Sequence, residues 1–423
     1  MSIPAVVQQH LEEAAHLRFV RTRLVRAHHI GLQALLRADE RLAAHLDGLL
    51  VSADEALAQL QTVQAAQPSP DPAVLFVATV LALELRNERQ IEALIDQASA
   101  DETALRAVAS AMGWVSAPTL RGLSGALLSS ANTTRRRLGL MACRLHRVDP
   151  GKWLPLAAQA DDAALRREAL TLAGALARAD GAQLCLDHLA DADPACRQAA
   201  AMASVLQGDR GRGLEALLEE LTKSAAPLPA LPAHHALYDS ARVALACCEV
   251  GMAKNVTRQL AAKQADPRLL IWSAAWVGDV RAVPWLISQM ANPQLARLAG
   301  AAFSIITGAD LQRLGLEGDA VLAAPEATPA ELDDDQLAVD PDADLPWPNV
   351  DAVQAWWALK SPTMPERTRL LSGAAPSIEG CKGLLRNGTQ PGRGLAALHL
   401  KRLQPAEVGF NWVAPGRRQL RLL

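Results

Sequence analysis

Arginines recur at nearly equal spacing along the first half of the chain, and a guanidinium group can hydrogen-bond carboxylates, phosphates or backbone carbonyls. The recurring positions are Arg106, Arg136, Arg166 and Arg197, which follow similar helix-start patterns at Asp101, Asn132, Asp162 and Asp193. In stacked helical repeats, such an arginine can bond an Asp or a carbonyl of the neighbouring repeat, and we favour this structural interpretation. The alternative is a cationic stripe on a concave face that binds an acidic protein or a phosphate backbone.

Further arginines lie close together near the start of the chain, within a predicted helix. They are Arg18, Arg21, Arg23 and Arg26. We predict that this cluster contacts a protein client, and the alternative is a solvated helix face. Charge reversal at Arg21 and Arg23 is then expected to weaken client binding without unfolding the protein.

Tryptophan, a frequent anchor of protein interfaces, outnumbers tyrosine by nine to one in this chain. The predicted core tryptophans, which have helix-compatible spacing, are Trp272, Trp276 and Trp285. The predicted partner contacts are Trp347, Trp356 and Trp357, for which core packing is the alternative. Because Trp356 and Trp357 are adjacent, they point to different faces of a helix, and we expect one of them to be partly exposed.

Other Asp, His, Gly and Cys residues lack the spacing that metal sites, nucleotide-binding loops or reactive thiols need. Asp340–Asp344 has carboxylates at alternate positions, but Leu345 occupies the sixth position, where a calcium loop needs Gly. The histidine pairs at 28–29 and 234–235 are adjacent rather than three or four apart, and Gly208–Gly213 follows no strand. The six Cys include no CxxC pair and are interpreted as buried reduced thiols. We therefore predict a protein that is not an enzyme, with no catalytic residue, metal site or cofactor.

The elements that position these residues are predicted to be helices. Hydrophobic residues make up 50% of the 423 residues, aromatic residues only 3%, and no alternating strand pattern occurs. The period of about thirty residues indicates an all-α fold, an α-solenoid of stacked helical repeats. We predict an N-terminal helical cap at 1–66, the repeat solenoid at 71–322, an acidic, Pro-rich linker at 323–350 and a C-terminal helical cap with a basic tail at 351–423. Gly48 is a possible end of the second helix.

Charge and hydropathy narrow the classes of partner. A formal net charge of −3 argues against a protein that coats nucleic acid. The most apolar run, Ala73–Leu83, is too short to cross a bilayer and is predicted to be a buried helix. The N-terminal residues lack the features of a signal peptide, so a cytoplasmic location is expected.

Several segments resemble a bacterial family of HEAT-like repeat proteins whose genes often lie among type VI secretion genes. The resemblance rests on the segments 12–17, 39–49, 345–348, 353–357 and 414–419. It implies HEAT-like repeats along the chain and a cytoplasmic accessory role in secretion, as an adaptor or co-chaperone that helps to load an effector onto the spike. It implies no catalytic residues.

We therefore predict a non-enzymatic scaffold that holds a protein client, such as a secretion effector or spike component. The first alternative is a nucleic-acid enzyme of the DNA-repair glycosylase type, which would use a basic concave face with Trp and an acidic residue. A second alternative is a lyase-type chaperone for a bound chromophore.

Overall fold

The fold is all-α throughout the part of the chain that the computed structural model describes, which comprises residues 3–65, 71–223, 235–319 and 342–423. These ranges contain 22 α-helices, and their β pairing is limited to isolated bridges. The prediction of an all-α fold is thus confirmed. Residues 323–341 of the predicted linker at 323–350 lie outside the described residues. Within the described ranges, none of the helices is both long enough and apolar enough to cross a bilayer.

The chain divides into two compact units. The first contains the described residues up to Val25, then Ile30–Gln207 and Pro405–Leu423. Its helices are α1 (Pro4–Leu24), α2 (Leu32–Val51), α3 (Ala53–Ala65), α4 (Pro72–Glu84), α5 (Glu88–Ala98), α6 (Glu102–Trp114), α7 (Leu123–Leu128), α8 (Thr133–His146), α9 (Trp153–Ala158), α10 (Ala163–Ala175), α11 (Gly181–Leu186), α12 (Pro194–Leu206) and, at the end of the chain, α22 (Gly416–Leu420).

The second unit contains Arg26–His29 and Gly208–Gln404. Its helices are α13 (Arg212–Lys223), α14 (His235–Cys247), α15 (Val250–Ala262), α16 (Pro267–Val277), α17 (Val283–Gln289), α18 (Ala296–Thr307), α19 (Val350–Lys360), α20 (Ile378–Asn387) and α21 (Gln390–Leu403). Here α14 packs against α16 and α16 against α18, while α15 contacts α16 and α17 contacts α18.

In the first unit, helices that are distant in sequence pack side by side. The series α4, α6, α8, α10 and α12 forms successive contacts, and the intervening helices α5, α7, α9 and α11 pack against members of this series. Helix α4 has an unbroken buried run from Val74 to Leu83, as expected for an apolar helix with neighbours on all sides. The predicted buried helix at Ala73–Leu83 is therefore confirmed.

The predicted helix starts of this series are confirmed by their N-caps. The side chains of Asp101, Asn132, Asp162 and Asp193 each accept a hydrogen bond from the backbone N–H three residues later, at 2.6–3.1 Å. Such a cap satisfies a donor that has no partner inside the helix. The regular spacing of these residues therefore reflects a local need at the start of each long helix.

Of the four recurring arginines, Arg166 bonds an Asp of the neighbouring repeat as predicted, whereas Arg197 bonds the loop before its own helix. Arg166 makes two 2.9 Å bonds to the Asp191 carboxylate and also donates to the carbonyl of Ala160. Arg197 donates to the carbonyls of Asp191 and Ala192, which precede its own helix. These bonds tie α10 and α12 to the loop that precedes α12.

At the other two positions, different residues make the connection between repeats. Arg106 is exposed and pairs with Glu102 of its own helix. Arg137, rather than Arg136, joins α8 to α6 through two bonds to Glu102 at 2.6 and 2.7 Å. Arg135 pairs with Asp96 of α5. We call Arg135, Arg137, Arg166 and Arg197 the arginine ladder.

Two expectations about individual residues are wrong. Helix α2 continues through Gly48 to Val51. A Cβ at Gly48 would lie 2.9 Å from His10 Nε2, so this glycine allows the close approach of α1 and does not end the helix. Trp272 and Trp276 are buried and stacked with ring centroids 6.1 Å apart, as predicted for core residues, whereas Trp285 is 37% exposed.

Candidate functional site

Arg21 of the predicted N-terminal cluster lies in the interior of the first unit. It continues the buried stripe of α1, and its Nε donates to Asp39 Oδ1 at 2.5 Å. Its Nη2 donates to the carbonyl of Val413 at 3.2 Å, and its guanidinium carbon lies 5.8 Å from the centre of the Trp114 ring. The other oxygen of Asp39 accepts from the backbone N–H of Gly416 at 2.7 Å. Arg21 is thus part of a buried ion pair that holds the C-terminal segment of the unit.

Arg18 lies one turn earlier on the same side of α1 but has no acidic partner in the described chain. Its Nη2 donates to Ser110 Oγ at 2.8 Å, and its guanidinium carbon lies 4.7 Å above the Phe76 ring. A longer contact of 3.4 Å joins its Nη1 to Thr22. Burial and, next, the positive charge of Arg21 lower the pKa of Arg18 to about 10, although the charge of Asp39 opposes this shift. This guanidinium is held in place without a direct ion pair.

The C-terminal segment brings a third guanidinium to the same place. Arg418 donates to the carbonyls of Val115 at 3.0 Å and Leu145 at 3.4 Å, near the ends of α6 and α8. Asn411 donates to the same Leu145 carbonyl at 3.0 Å. Burial lowers the pKa of Arg418 to about 10, with Arg417 as the next largest cause. Carbonyl groups at the ends of helices carry partial negative charge and orient this side chain.

These groups surround a cavity of about 40 Å³. We call it the arginine cavity, and the lining residues that matter here are Arg18, Arg21, Ser110, Trp114, Asn411 and Arg418. Arg18, Ser110 and Arg418 are half-buried, so the cavity is accessible to solvent. Each water-sized position needs about 10–15 Å³, so the cavity has room for about three water molecules.

Positive charge is in excess around this cavity. Three guanidinium groups line it, and of these Arg21 is paired with a carboxylate, that of Asp39. Arg417 lies 5.7 Å from the Trp114 ring centre and interacts with Glu84. Each of the three lining arginines has five N–H donors, and two of these make hydrogen bonds in the described structure. The arrangement can therefore accept an anion.

The other two arginines of the predicted cluster are placed differently. Arg23 is exposed on α1, and its guanidinium carbon lies 4.6 Å from the Phe19 ring centre. Arg26 is exposed and belongs to the second unit. The structure thus brings Arg18 and Arg21 together at the cavity and places Arg23 on the surface of the first unit.

The predicted tryptophan contacts lie in the second unit, and all three are half-buried. The rings of Trp356 and Trp357 both meet Phe303 edge-on, with centroid separations of 5.6 and 6.4 Å. Trp347 lies under Arg297, whose guanidinium carbon is 4.8 Å from the ring centre. The adjacent Trp356 and Trp357 thus share one aromatic neighbour. Because both side chains are half-buried, they can pack in the unit and still offer a surface to a partner.

Two sequence features that carry no predicted site come together elsewhere in the second unit. His28 Nδ1 and Asp342 Oδ1 are 3.0 Å apart, and Arg268 Nη1 is 2.7 Å from the other oxygen of Asp342. The His28 ring also meets Trp272 edge-on. Burial raises the pKa of Asp342, but the hydrogen bonds from His28 and Arg268 outweigh this and keep the pKa below its usual value. Asp342 is 3% exposed, which corrects the expectation that it lies in a solvated acidic linker.

A larger cleft of about 370 Å³ lies beside α8 in the first unit and includes Cys143 and His146 in its lining. Burial raises the pKa of the Cys143 thiol to about 11, so the thiol is protonated at neutral pH. His146 Nε2 is 2.8 Å from the carbonyl of Met112, and burial lowers the pKa of this imidazole. A protonated thiol beside an imidazole that is already hydrogen-bonded is a poor nucleophilic pair. All six Cys lie among the described residues and are buried, as predicted.

Sequence reasoning identified Arg18 and Arg21 but missed the rest of the cavity. Arg418 lies in the segment predicted as a basic tail, and no sequence pattern marks Ser110, Trp114 or Asn411. Asn411 is separated from α1 by almost the whole chain, and no local pattern relates the two.

No protein-family model, curated protein or solved structure matches this chain. The resemblance to a HEAT-like family encoded near type VI secretion genes therefore stays a prediction. The candidate site is defined by its own geometry and charge.

Proposed function

We propose that this protein is a non-enzymatic scaffold that binds an acidic protein client through the arginine cavity of its first unit. One observation carries the proposal: Arg18 is fixed by Ser110 and Phe76, reaches solvent, and pairs with no acid of the described chain. Three converging guanidinium groups in partly desolvated surroundings favour an anionic partner. Because their hydrogen bonds already hold them in place, little ordering cost is added on binding.

The frame for this function is proposed to be an α-solenoid of HEAT-like repeats. The successive contacts from α4 to α12 and the evenly spaced N-caps support this proposal for the first unit. Each long helix with its shorter neighbour would form one repeat, and α1–α3 would cover one end. The series α14, α16 and α18 would continue the same principle within the second unit.

The resemblance to the secretion-associated family suggests the class of client. We propose that the client is a type VI secretion effector or a component of the spike, and that the scaffold acts on it as a cytoplasmic adaptor or co-chaperone. This part of the proposal depends on the resemblance alone and is tested separately from binding at the cavity.

The test is capture of partners from the native cell by tagged wild-type protein and by two matched variants, Arg18→Gln and Arg23→Gln. Both remove one charge from α1, but only Arg18 lines the cavity. We expect an acidic protein that is retained by wild type and Arg23→Gln and lost with Arg18→Gln or at high salt. Equal capture by both variants would contradict the cavity as the client site, and recovery of nucleic acid alone would contradict the scaffold function.

The runner-up, a nucleic-acid enzyme of the glycosylase type, would need an acidic residue near Trp. Asp342 is linked to Trp272 through His28, whose ring meets the Trp272 ring edge-on, and its two oxygens are engaged by His28 and Arg268. These bonds support a structural role for Asp342 and do not support a catalytic role for it in a glycosylase-type enzyme. Binding of duplex DNA at moderate salt would favour the runner-up.

A further inference from the structure

The donors of the arginine cavity limit the anions that it can bind. A guanidinium fork is planar and bonds a carboxylate or a phosphate through two parallel N–H donors. A protein client presents carboxylates at its Asp and Glu side chains and at its C-terminus. Under the proposed function, the anion in the cavity is therefore a single carboxylate.

The residues around the cavity provide distinct kinds of contact. Arg18 keeps N–H donors beyond those used for Ser110 and Thr22. Arg418 is held by the carbonyls of Val115 and Leu145 and keeps further donors as well. Arg21 is already paired with Asp39, so it contributes charge and shape more than new hydrogen bonds.

Two aromatic side chains form walls of the cavity and pack against the guanidinium groups of Arg18 and Arg21. Phe76 lies under Arg18, and Trp114 lies beside Arg21, with guanidinium-to-ring distances of 4.7 and 5.8 Å. The two rings also meet edge-on at a centroid separation of 6.0 Å. Apolar walls lower the local polarity and strengthen a charge-assisted hydrogen bond inside the cavity.

We propose that the arginine cavity is a carboxylate-binding site in which Arg18 and Arg418 are the donors to one carboxylate of the protein client. This inference rests on the proposed function for the identity of the client, but the cavity itself can be tested without any client. Two sources offer the same chemical group, the C-terminal carboxylate of a chain and the side chain of Asp or Glu.

The experiment follows the Arg Nε–Hε signals of the full-length protein by nuclear magnetic resonance during titrations at constant ionic strength. The probes are acetate, inorganic phosphate and chloride, followed by three short peptides. One peptide has a free C-terminus and no acidic side chain, the second has an amidated C-terminus and one Glu, and the third is amidated and neutral. The spectrum of Arg18→Gln assigns the Arg18 signal, and Arg23→Gln serves as the matched control.

We expect acetate to shift the Arg18 and Arg418 signals in a saturable way, with chloride and phosphate producing less change. Loss of charge-assisted hydrogen bonds should weaken acetate binding about tenfold or more in Arg18→Gln and Arg418→Gln, and leave it unchanged in Arg23→Gln. Of the two charged peptides, the one that shifts the Arg18 signal identifies the source of the carboxylate. Far-UV circular dichroism of each variant checks that it is folded.

Equal shifts with chloride, stronger binding of phosphate than acetate, or unchanged acetate binding in both cavity variants would overturn the proposal. So would an equal response to the neutral peptide. If acetate binds as expected but no protein is captured from cells, the carboxylate site stands and the scaffold function fails. If a client is captured through another surface while acetate does not bind, the scaffold function stands and the carboxylate site fails.

Discussion

The arginine ladder and the arginine cavity lie in the same unit and use the same side chain in opposite electrostatic surroundings. In the ladder, Arg166 is 2.9 Å from the Asp191 carboxylate, and hydrogen bonding to that carboxylate raises the pKa of Arg166. In the cavity, burial lowers the pKa of Arg18 to about 10, and its hydrogen-bond partners are hydroxyl groups. The comparison distinguishes arginines that connect helices from arginines that keep N–H donors for a ligand.

Arg147 shows that burial without an acid does not by itself define a binding site. Burial lowers its pKa to about 10 as well. However, its guanidinium donates to the carbonyls of Gly409 and Arg144, and it does not line the cavity. What distinguishes Arg18 and Arg418 is convergence on one solvent-accessible space.

The largest expected effect concerns Arg21, the member of the cavity that is paired as in the ladder. Arg21→Glu would place a second carboxylate beside the buried Asp39, and we expect destabilisation of at least about 3–5 kcal/mol. Arg23→Glu, on the exposed face of the same helix, should stay within about 0.5 kcal/mol of wild type. Urea unfolding of both variants measures the difference. A stable Arg21→Glu protein would show that the pair is not structural and would restore the simpler surface interpretation of the cluster.

An intermediate effect is expected at the ladder pair. Asp191→Asn removes the charge that Arg166 binds, and a lost hydrogen bond to a charged group costs about 1.5–3 kcal/mol. Hydrogen bonding from Arg166 keeps the pKa of Asp191 below its unfolded value, so the pair stabilises the protein above about pH 4. This contribution is lost as the pH falls through the lower, folded pKa. Unfolding of wild type and Asp191→Asn across acidic pH should therefore converge; a constant gap would contradict the linkage.

The smallest expected effect is at Arg18 and sharpens the contrast with the ladder. Arg18→Met removes a partly desolvated charge next to Arg21 while an apolar chain still packs on Phe76, so we expect a change within about 1 kcal/mol. Arg166→Met leaves Asp191 without its partner and should destabilise clearly more. Thermal and urea unfolding of the two variants provide the measurement. Equal destabilisation would mean that Arg18 is as structural as Arg166.

Local features of the fold were predictable because they depend on nearby residues. Asp162 and Asp193 cap helices through the N–H three residues on, and the buried run of α4 is visible as an unbroken apolar stretch. By contrast, Gly48 looked like a helix end because glycine commonly follows helices, but its role is to admit His10 of a packed neighbour. A rule based on one residue cannot distinguish these uses without the partner helix.

Three features are visible in the sequence alone: the all-α class, the starts of the repeated helices and the concentration of arginine in α1. Periodicity and capping are local properties, and the chain displays them directly. Tertiary contacts are needed to show that Arg21 pairs with Asp39 and that Arg18 has no acidic partner in the described chain. They also show that Arg418, from a distant segment, lines the same cavity. The reason is that the charge balance of a cavity depends on which distant segments fold together, and no spacing along the chain encodes that choice.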